Sequence, residues 1–204
     1  MTGLISRLLV PGLFGAELWD NGQQVVIRPD ENVHVAGSGE KRRRDFALGR
    51  ACARAALAGL GHSDAVIAKG DDGAPIWPAG IVGTITHTKG YAAALVGEAC
   101  CFTNIGIDAE QAGAVTEDLW PRLFTAAEQE TLRSHADPML AATMFFTAKE
   151  ASYKAGALTG AMAFRQILVS LKGDGFAVTG PDASLNGQCA VEGGVVLAVV
   201  WQDR

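Results

Sequence analysis

The run Gly-Ile-Asp-Ala-Glu at 106–110 constrains this chain more than any other short segment. It has the pattern of a β-strand, in which side chains two residues apart leave on the same face. Asp108 and Glu110 are therefore expected on one face of that strand. Two carboxylates on one strand face predict a site for a divalent cation.

A second run, Phe-Thr-Ala-Lys-Glu-Ala-Ser-Tyr-Lys-Ala at 146–155, has a helical composition. Glu150 and Lys154 are four residues apart and share a helix face, and Lys149 is expected on the adjoining edge. The combined set of carboxylates and lysines suits Mg²⁺, or alternatively Mn²⁺, next to a phosphate chain. Mg²⁺ is usually held by few carboxylates together with substrate phosphate oxygens.

Basic residues are concentrated in one stretch of an otherwise acidic chain. The net charge is −5, which excludes a protein built as a whole to bind nucleic acid. Fourteen positions nonetheless contain Lys41, Arg42, Arg43, Arg44, Arg50 and Arg54. The cluster predicts a local anion site, and the alternative is a solvated helix face or a nucleic-acid patch.

The bulk composition is that of a compact enzyme. At 204 residues the chain is long enough for one large domain or two small ones, and 49% hydrophobic with 19% charged residues excludes a disordered chain. Arg7 and Pro11 interrupt the apolar amino-terminal stretch, which predicts neither a signal peptide nor a membrane span. We therefore expect a cytoplasmic protein with no membrane partner.

The cysteines follow no metal-binding spacing. No Cys-x-x-Cys occurs, so the sequence predicts buried, reduced thiols and neither disulfides nor zinc. The residues concerned are Cys52, Cys100, Cys101 and Cys189.

Periodicity predicts an α+β fold in which short strands alternate with a few helices. Helices are expected at 40–60, with Gly61 as its stop, at 126–134 behind a Thr125/Glu128 capping box, and from Asp137-Pro138 to Gly156 or Gly160. Strands are expected at 16–19, 24–27, 66–69, 82–87, 91–96, 105–110, 167–171, 176–178 and 195–201.

The Gly-Ile-Asp-x-Glu run and the Lys-Glu-x-x-x-Lys-Ala run that follows it resemble the signature pair of the 4′-phosphopantetheinyl transferases. Segments 41–54, 69–78 and 83–91 are similar to the enterobactin-pathway branch of that family, in the same order. The resemblance implies a monomer of two similar α/β lobes related by a pseudo-twofold axis, here 1–102 and 103–204. Taken alone, Asp108 and Glu110 could form a solvated strand face, and Glu150 and Lys154 could form a surface ion pair. The resemblance favours a functional site over both of these interpretations.

The resemblance implies transfer of the 4′-phosphopantetheine arm of coenzyme A to a serine of an apo acyl or peptidyl carrier protein, with Mg²⁺ and release of 3′,5′-ADP. Glu150 would be the base and Lys154 would stabilise or protonate the leaving phosphate. The implied metal ligands are Asp108, Glu110 and Glu150, and the implied coenzyme contacts include Arg42, Arg50, Lys69, Thr86, His87 and Lys149. His34, His62 and His135 match no position of the family and are expected to face solvent.

Two other classes of function remain open. A metal-dependent phosphodiesterase or nuclease would use the same carboxylates without needing a pocket for the 3′-phosphate of coenzyme A. A non-enzymatic module would use the basic stretch alone, although no aromatic residues alternate with it as in nucleic-acid grooves. The identity of the carrier protein and its pathway are not encoded in these motifs.

Overall fold

The structure is a computed structural model that describes residues 3–71, 73–156, 164–172, 175–180 and 184–204. Its α-helices are α1 (Pro29–Asn32), α2 (Glu40–Gly59), α3 (Trp120–Leu123), α4 (Ala126–Arg133) and α5 (Pro138–Lys154). Its strands are β1 (Leu13–Trp19), β2 (Ala68–Lys69), β3 (Pro75–Ile76), β4 (Ile81–Thr88), β5 (Tyr91–Glu98), β6 (Phe102–Gln111), β7 (Leu168–Lys172), β8 (Gly175–Thr179), β9 (Ser184–Glu192) and β10 (Val195–Asp203).

The amino-terminal lobe is an antiparallel sheet in the order β1-β5-β4, with α2 packed across one face. Small and aliphatic residues of α2, including Cys52, Ala53 and Leu57, form the buried side of the helix. The helix ends at Gly59, Leu60 is its C-cap, and Gly61 follows with φ +82°. Glycine adopts this left-handed conformation without steric cost, so Gly61 ends the helix as predicted.

The carboxy-terminal lobe is an antiparallel sheet in the order β6-β10-β9-β8-β7, with α5 packed on β6 and β10. The Asp137 side chain caps α5 by accepting a hydrogen bond from the Leu140 N–H at 3.0 Å. The predicted capping box of α4 is also present, with Thr125 and Glu128 bonding each other's backbone. Both devices satisfy N–H groups that a helix start leaves unpaired.

The two sheets pack face to face, and the helices cover their outer faces. Along β5, Tyr91, Ala93 and Leu95 contribute to the core between the sheets, while the alternate residues contact α2. In β10, Leu197 and Val199 face the same central core, while Ala198 and Val200 face α5. The chain therefore folds as two α/β lobes, each with one long helix on an antiparallel sheet.

Most predicted elements are confirmed, with boundaries moved by a few residues. The strand expected at 24–27 is wrong, because this segment forms no strand, and β9 was missed. Gly160, one of the two predicted ends of α5, lies outside the described residues, and Gly156 ends that helix with φ +68°. Within the described segments, no helix combines the length and the apolar character needed to cross a membrane.

Candidate active site

Strand β6 and helix α5 meet at Gly106, and this contact positions the carboxylates. A Cβ atom at Gly106 would lie 1.9 Å from the Ala151 carbonyl oxygen, so only glycine lets the helix approach the strand this closely. Ile107 and Ala109 point into the core between the sheets. Asp108 therefore leaves on the α5 side of the strand, where Glu150 and Lys154 lie at the carboxy-terminal end of the helix.

Asp108, Thr86 and Lys154 form one hydrogen-bonded network across the two lobes. The Lys154 Nζ donates to Asp108 Oδ1 at 2.6 Å and to Thr86 Oγ1 at 3.3 Å. The Thr86 hydroxyl donates to the same Asp108 oxygen at 3.2 Å and accepts from the Ala109 N–H at 3.1 Å. Asp108 is only 4% exposed, whereas the Lys154 side chain is 33% exposed, so the ion pair lies at the edge of the interior and is open to solvent on the lysine side.

Glu110 and Glu150 are half-buried, and both lie near the charged pair formed by Asp108 and Lys154. Burial raises the pKa of Glu110 to about 7, repulsion from Asp108 and Glu150 adds to the rise, and Lys154 opposes it. The pKa of Glu150 is raised chiefly by burial, then by Asp108. Among the described residues, however, these three carboxylates do not form a group whose oxygens all lie within 4.8 Å of one another.

A cleft of about 700 Å³ opens on the α2 side of β4. It contains four of the residues implied as coenzyme contacts, on three different elements. Its wall includes His34, Lys41, Arg42, Asp45, Phe46, Arg50, Lys69, Ile85 and His87.

Arg50 is the most deeply buried charge of this cleft, at 5% exposed. Its guanidinium stacks over the Phe46 ring at 4.7 Å and donates to the Ala68 carbonyl at 3.3 Å. Desolvation lowers the pKa of Arg50. Its Nε has no hydrogen-bond partner, and a buried unpaired donor on a cation is costly unless a ligand accepts from it.

The structure separates the three arginines that the sequence left equivalent. Arg44 forms a bidentate pair with Asp20, at 2.5 and 3.1 Å, and Arg43 donates to the Val35 carbonyl and to Asn32. Arg42 lines the cleft and, within the described residues, makes no hydrogen bond or ion pair. Arg42 is therefore the arginine of this run that is free to meet a ligand.

His34 is a residue of the cleft that sequence reasoning missed. It was expected to face solvent, but it is half-buried and its Nε2 accepts a hydrogen bond from the Lys69 N–H at 3.3 Å. This contact connects the turn after α1 to β2, which carries Lys69. No local pattern could have found it, because the partner lies 35 residues away.

The end of β4 joins the cleft to the carboxylates. Because neighbouring strand residues face opposite sides, Thr86 points at Asp108 while His87 points into the cleft. The pKa of His87 is lowered, first by desolvation and then by the charges of Lys154 and Lys41, and Asp45 and Asp108 oppose the shift. Lys154 is therefore close enough to act on both halves of the site.

Lys149 lies apart from these residues in the structure, and its expected role beside the phosphates stays a prediction. Its side chain is fully buried, and Nζ donates to Glu128 Oε2 at 2.9 Å and to the Leu123 carbonyl at 3.0 Å. It also lies 5.1 Å from the centre of the Phe124 ring. Adjacent helix residues diverge by about 100°, so Glu150 and Lys149 face different partners.

Two family models match the chain in succession. The 4′-phosphopantetheinyl transferase N-terminal domain matches residues 30–97, and the 4′-phosphopantetheinyl transferase superfamily model matches residues 104–197. The first range contains the basic cleft, and the second contains Asp108, Glu110, Glu150 and Lys154.

Individual relatives agree with the models. The chain is 42% identical over 152 residues to the 4′-phosphopantetheinyl transferase Npt of Nocardia iowensis, a match that covers 74% of this chain and 68% of that protein. It is 33% identical over 204 aligned positions to the 4′-phosphopantetheinyl transferase PptT of Mycobacterium tuberculosis, covering 91% and 90%. Enterobactin synthase component D of Salmonella typhi is 33% identical over 124 residues, covering 59% and 51%. With this cleft, these carboxylates and these matches, the chain belongs to the 4′-phosphopantetheinyl transferase superfamily.

Proposed function

We propose that this protein transfers the 4′-phosphopantetheine arm of coenzyme A to a serine of an apo acyl or peptidyl carrier protein, with Mg²⁺ and with release of 3′,5′-ADP. One observation carries the proposal. Among the described residues, the buried side-chain nitrogen and oxygen atoms without a hydrogen-bond partner are Arg50 Nε and Asp108 Oδ2. The Arg50 Nε–H suits a phosphate oxygen, and Asp108 Oδ2 suits a cation. The two atoms lie on opposite sides of the end of β4.

The donor set fits a hard divalent cation. Asp108 Oδ2 is buried without a partner, and burial, followed by repulsion from Asp108, raises the pKa values of Glu110 and Glu150. Asp108, Glu110 and Glu150 would hold Mg²⁺, or alternatively Mn²⁺. When bound, the cation supplies positive charge that stabilises the phosphates as charge develops on the leaving group.

The cleft would hold the coenzyme's 3′-phosphate and pyrophosphate. Arg42 and Arg50 offer planar guanidinium groups, which bond phosphate oxygens in pairs, and Lys69 adds a point charge. His87 would add a donor at the rim nearest to Lys154. These contacts orient the reactive phosphate toward the end of α5.

Glu150 and Lys154 would carry the proton and charge movements. A carboxylate whose pKa is raised by burial is a stronger base, so Glu150 is suited to accept the proton of the carrier serine, directly or through water. The Lys154 ammonium would stabilise or protonate the leaving phosphate. Because the Lys154 ammonium donates hydrogen bonds to Asp108 and Thr86 in the free protein, it is oriented before the substrate binds.

The test is to incubate the protein with coenzyme A, Mg²⁺ and a panel of apo carrier proteins, and to follow each carrier by intact-mass spectrometry. We expect at least one carrier to gain a single phosphopantetheine on serine, and Asp108→Ala to abolish the gain while circular dichroism shows a retained fold. Mg²⁺-dependent transfer by Asp108→Ala would contradict the metal assignment. The cytoplasmic location, the monomeric state and the division at 1–102 and 103–204 belong to the same proposal.

A further inference from the structure

The turn between β5 and β6 carries two adjacent cysteines with no role in the proposed transfer. Cys100 and Cys101 were expected to be buried, but both are exposed, and Glu98 beside them is exposed as well. The turn connects the sheet of the first lobe to the sheet of the second, so its conformation bears on how they are joined. An exposed pair of thiols next to a carboxylate is an unusual arrangement that packing does not explain.

The three side chains converge on one point. Their ligand atoms all lie within 4.8 Å of one another, and no other group of three or more His, Cys, Asp or Glu side chains in the described part of the chain does so. The two Sγ atoms are 3.7 Å apart, and Cys100 Sγ is 3.5 Å from Glu98 Oε2. The distance between the two sulfurs is too long for a disulfide, and both distances suit a shared ion.

These distances match the edges of a tetrahedral zinc site. With Zn–S bonds of about 2.3 Å, two sulfur ligands at a tetrahedral angle lie about 3.8 Å apart. With a Zn–O bond of about 2.0 Å, a sulfur and an oxygen ligand lie about 3.5 Å apart. Two of the three separations therefore match those of a coordinated ion, and the third, between Cys101 Sγ and the Glu98 carboxylate, is within 4.8 Å.

Hydrogen bonds to neighbouring segments fix the backbone of the turn between β5 and β6. Ala99 N–H donates to the Gly80 carbonyl at 2.8 Å, and the Cys101 N–H donates to the Glu98 carbonyl at 2.9 Å. The last residue, Arg204, donates its N–H to the Cys101 carbonyl at 2.9 Å and its guanidinium to the Ala99 carbonyl at 2.7 Å. The ligands thus stand on a fixed turn, which lowers the cost of ordering them around an ion.

We propose that Glu98, Cys100 and Cys101 form a zinc site, in which Zn²⁺ is bound by two thiolates, one carboxylate and one water. Binding releases the two thiol protons to solvent, so that Zn²⁺ and two thiols give a neutral zinc dithiolate and two protons. Soft thiolates select this cation over Mg²⁺. The site lies roughly 20 Å along β6 from Asp108, so it is separate from the proposed magnesium site and acts on the junction between the lobes.

Co²⁺ is the probe, because its visible spectrum distinguishes tetrahedral from octahedral ligand sets and its near-ultraviolet absorption reports thiolate ligands. The full-length protein is titrated under reducing conditions with Mg²⁺ in excess, and Zn²⁺ then displaces the Co²⁺. We expect one tetrahedral Co²⁺ per chain with a thiolate band. Cys100→Ser, Cys101→Ser and Glu98→Gln should each weaken binding by at least about tenfold, and Cys189→Ala, a thiol packed against the core of the other sheet, should leave it unchanged.

A thermal scan provides the second readout. Saturating Zn²⁺ should raise the Tm of the wild type by about 5 °C or more and leave the Tm of Cys100→Ser/Cys101→Ser unchanged. The side chains substituted at the site, Glu98, Cys100 and Cys101, are exposed, so these variants are expected to fold, which circular dichroism checks for them and for Cys189→Ala. Absence of a thiolate band in the reduced wild type, or equal Co²⁺ affinity in the double variant, would overturn the proposal.

Discussion

Lys154 takes part in two interactions at once, since its Nζ pairs with Asp108 and bonds the Thr86 hydroxyl. It joins a residue of each sheet, and its charge also lowers the pKa of His87 in the cleft. A cation in this position can follow negative charge as it moves from the pyrophosphate to the leaving group. Its contribution is therefore expected to be larger in the transition state than in the ground state.

Lys154→Ala tests this role. We expect kcat to fall by a factor of about a hundred or more, with a small change in the KM for coenzyme A, because removing a group that acts mainly in the transition state lowers kcat selectively. Lys154→Arg keeps the charge but not the reach, so it should recover only part of the activity. Steady-state kinetics with an apo carrier protein measures both, and a near-normal kcat in Lys154→Ala would reduce this lysine to a structural ion pair.

His87 gives the site a pH dependence whose sign follows from its environment. Desolvation lowers the pKa of the free imidazole, whereas a bound phosphate favours the imidazolium and raises the pKa in the complex. The contribution of His87 to the affinity for the phosphate is therefore complete below the pKa of the imidazole in the free protein. It is lost as pH rises through the higher pKa of the imidazole in the complex. The affinity for 3′,5′-ADP, measured by titration calorimetry with a metal chelator present, should increase as pH falls from about 8 to 6.

His87→Gln is the control for that titration, because the ligand's own phosphate also protonates in this range. The variant keeps a hydrogen-bond donor but has no titrating group, so its remaining pH dependence reports the ligand alone. If the wild type and His87→Gln show the same slope, the imidazole does not contact the phosphate.

The sequence predicted residue types better than residue partners. The strand and helix periods, which are local, predict the faces on which Asp108, Glu110, Glu150 and Lys154 lie, and in the structure Lys154 pairs with Asp108. Arg42, Arg43 and Arg44 differ in their hydrogen-bond partners. Arg43 bonds Val35 and Arg44 bonds Asp20, and both partners lie in other segments of the chain. The contact between Lys149 and Glu128 was not predictable for the same reason, since nothing in the run at 146–155 indicates Glu128 as its partner.

At the scale of elements, Gly106 determines how closely α5 lies on β6. Gly106→Ala should destabilise the protein by about 1–3 kcal/mol, because the new Cβ would meet the Ala151 carbonyl and the helix must shift. Glu150 and Lys154 lie on that helix, so kcat should fall as well. Urea unfolding and carrier-transfer kinetics measure the two effects.

Gly37→Ala is the matched control, because nothing lies within 4 Å of the position its Cβ would occupy. It should change neither stability nor rate appreciably. A Gly106→Ala protein with the stability and activity of Gly37→Ala would show that the helix is not held by this contact.

The buried Lys149–Glu128 pair anchors α5 to α4. Desolvation lowers the pKa of Lys149, and the hydrogen bond that Lys149 donates to Glu128 opposes the shift. Lys149→Met leaves a carboxylate buried without its cation and should cost about 3–5 kcal/mol in urea unfolding. Adding Glu128→Gln should recover part of that loss, because the stranded charge is then removed.

Lys41 and Asp45 provide the comparison pair, also oppositely charged and 2.8 Å apart, with the lysine side chain 85% exposed. Lys41→Ala should change the free energy of unfolding by about 0.5 kcal/mol or less. If Lys149→Met costs no more than Lys41→Ala, the buried pair does not hold the helix.

Element prediction failed where tertiary contacts replaced local signals. Strand β9 was missed because its sequence is polar and contains Gly187, yet this glycine is where the Phe176 ring packs, and a Cβ there would lie 2.2 Å from it. The segment at 24–27 contains the β-branched run Val-Val-Ile but pairs with no strand in the described residues; the Val26 carbonyl instead accepts a hydrogen bond from Arg54. Strands require partners, and their sequence alone does not supply them.

At the scale of the whole molecule, the site exists only because the lobes are packed together. The cleft belongs to α2 and β4 of the first lobe, the carboxylates to β6 and α5 of the second, and Thr86 bonds across the junction. The α+β class and the order of elements were predictable from the chain. The face-to-face packing of the sheets, which brings β4 to β6, rested on the family resemblance and not on periodicity.

The central claim is that both halves of the site act on one coenzyme molecule, and the most direct test compares the kcat/KM of transfer from coenzyme A with that from dephospho-coenzyme A. The wild type should prefer coenzyme A by roughly 10- to 100-fold, the value of one charged hydrogen bond to the 3′-phosphate. Arg50→Met and His87→Gln should narrow this ratio by lowering the rate with coenzyme A alone. Equal rates for the two donors in the wild type would contradict the account.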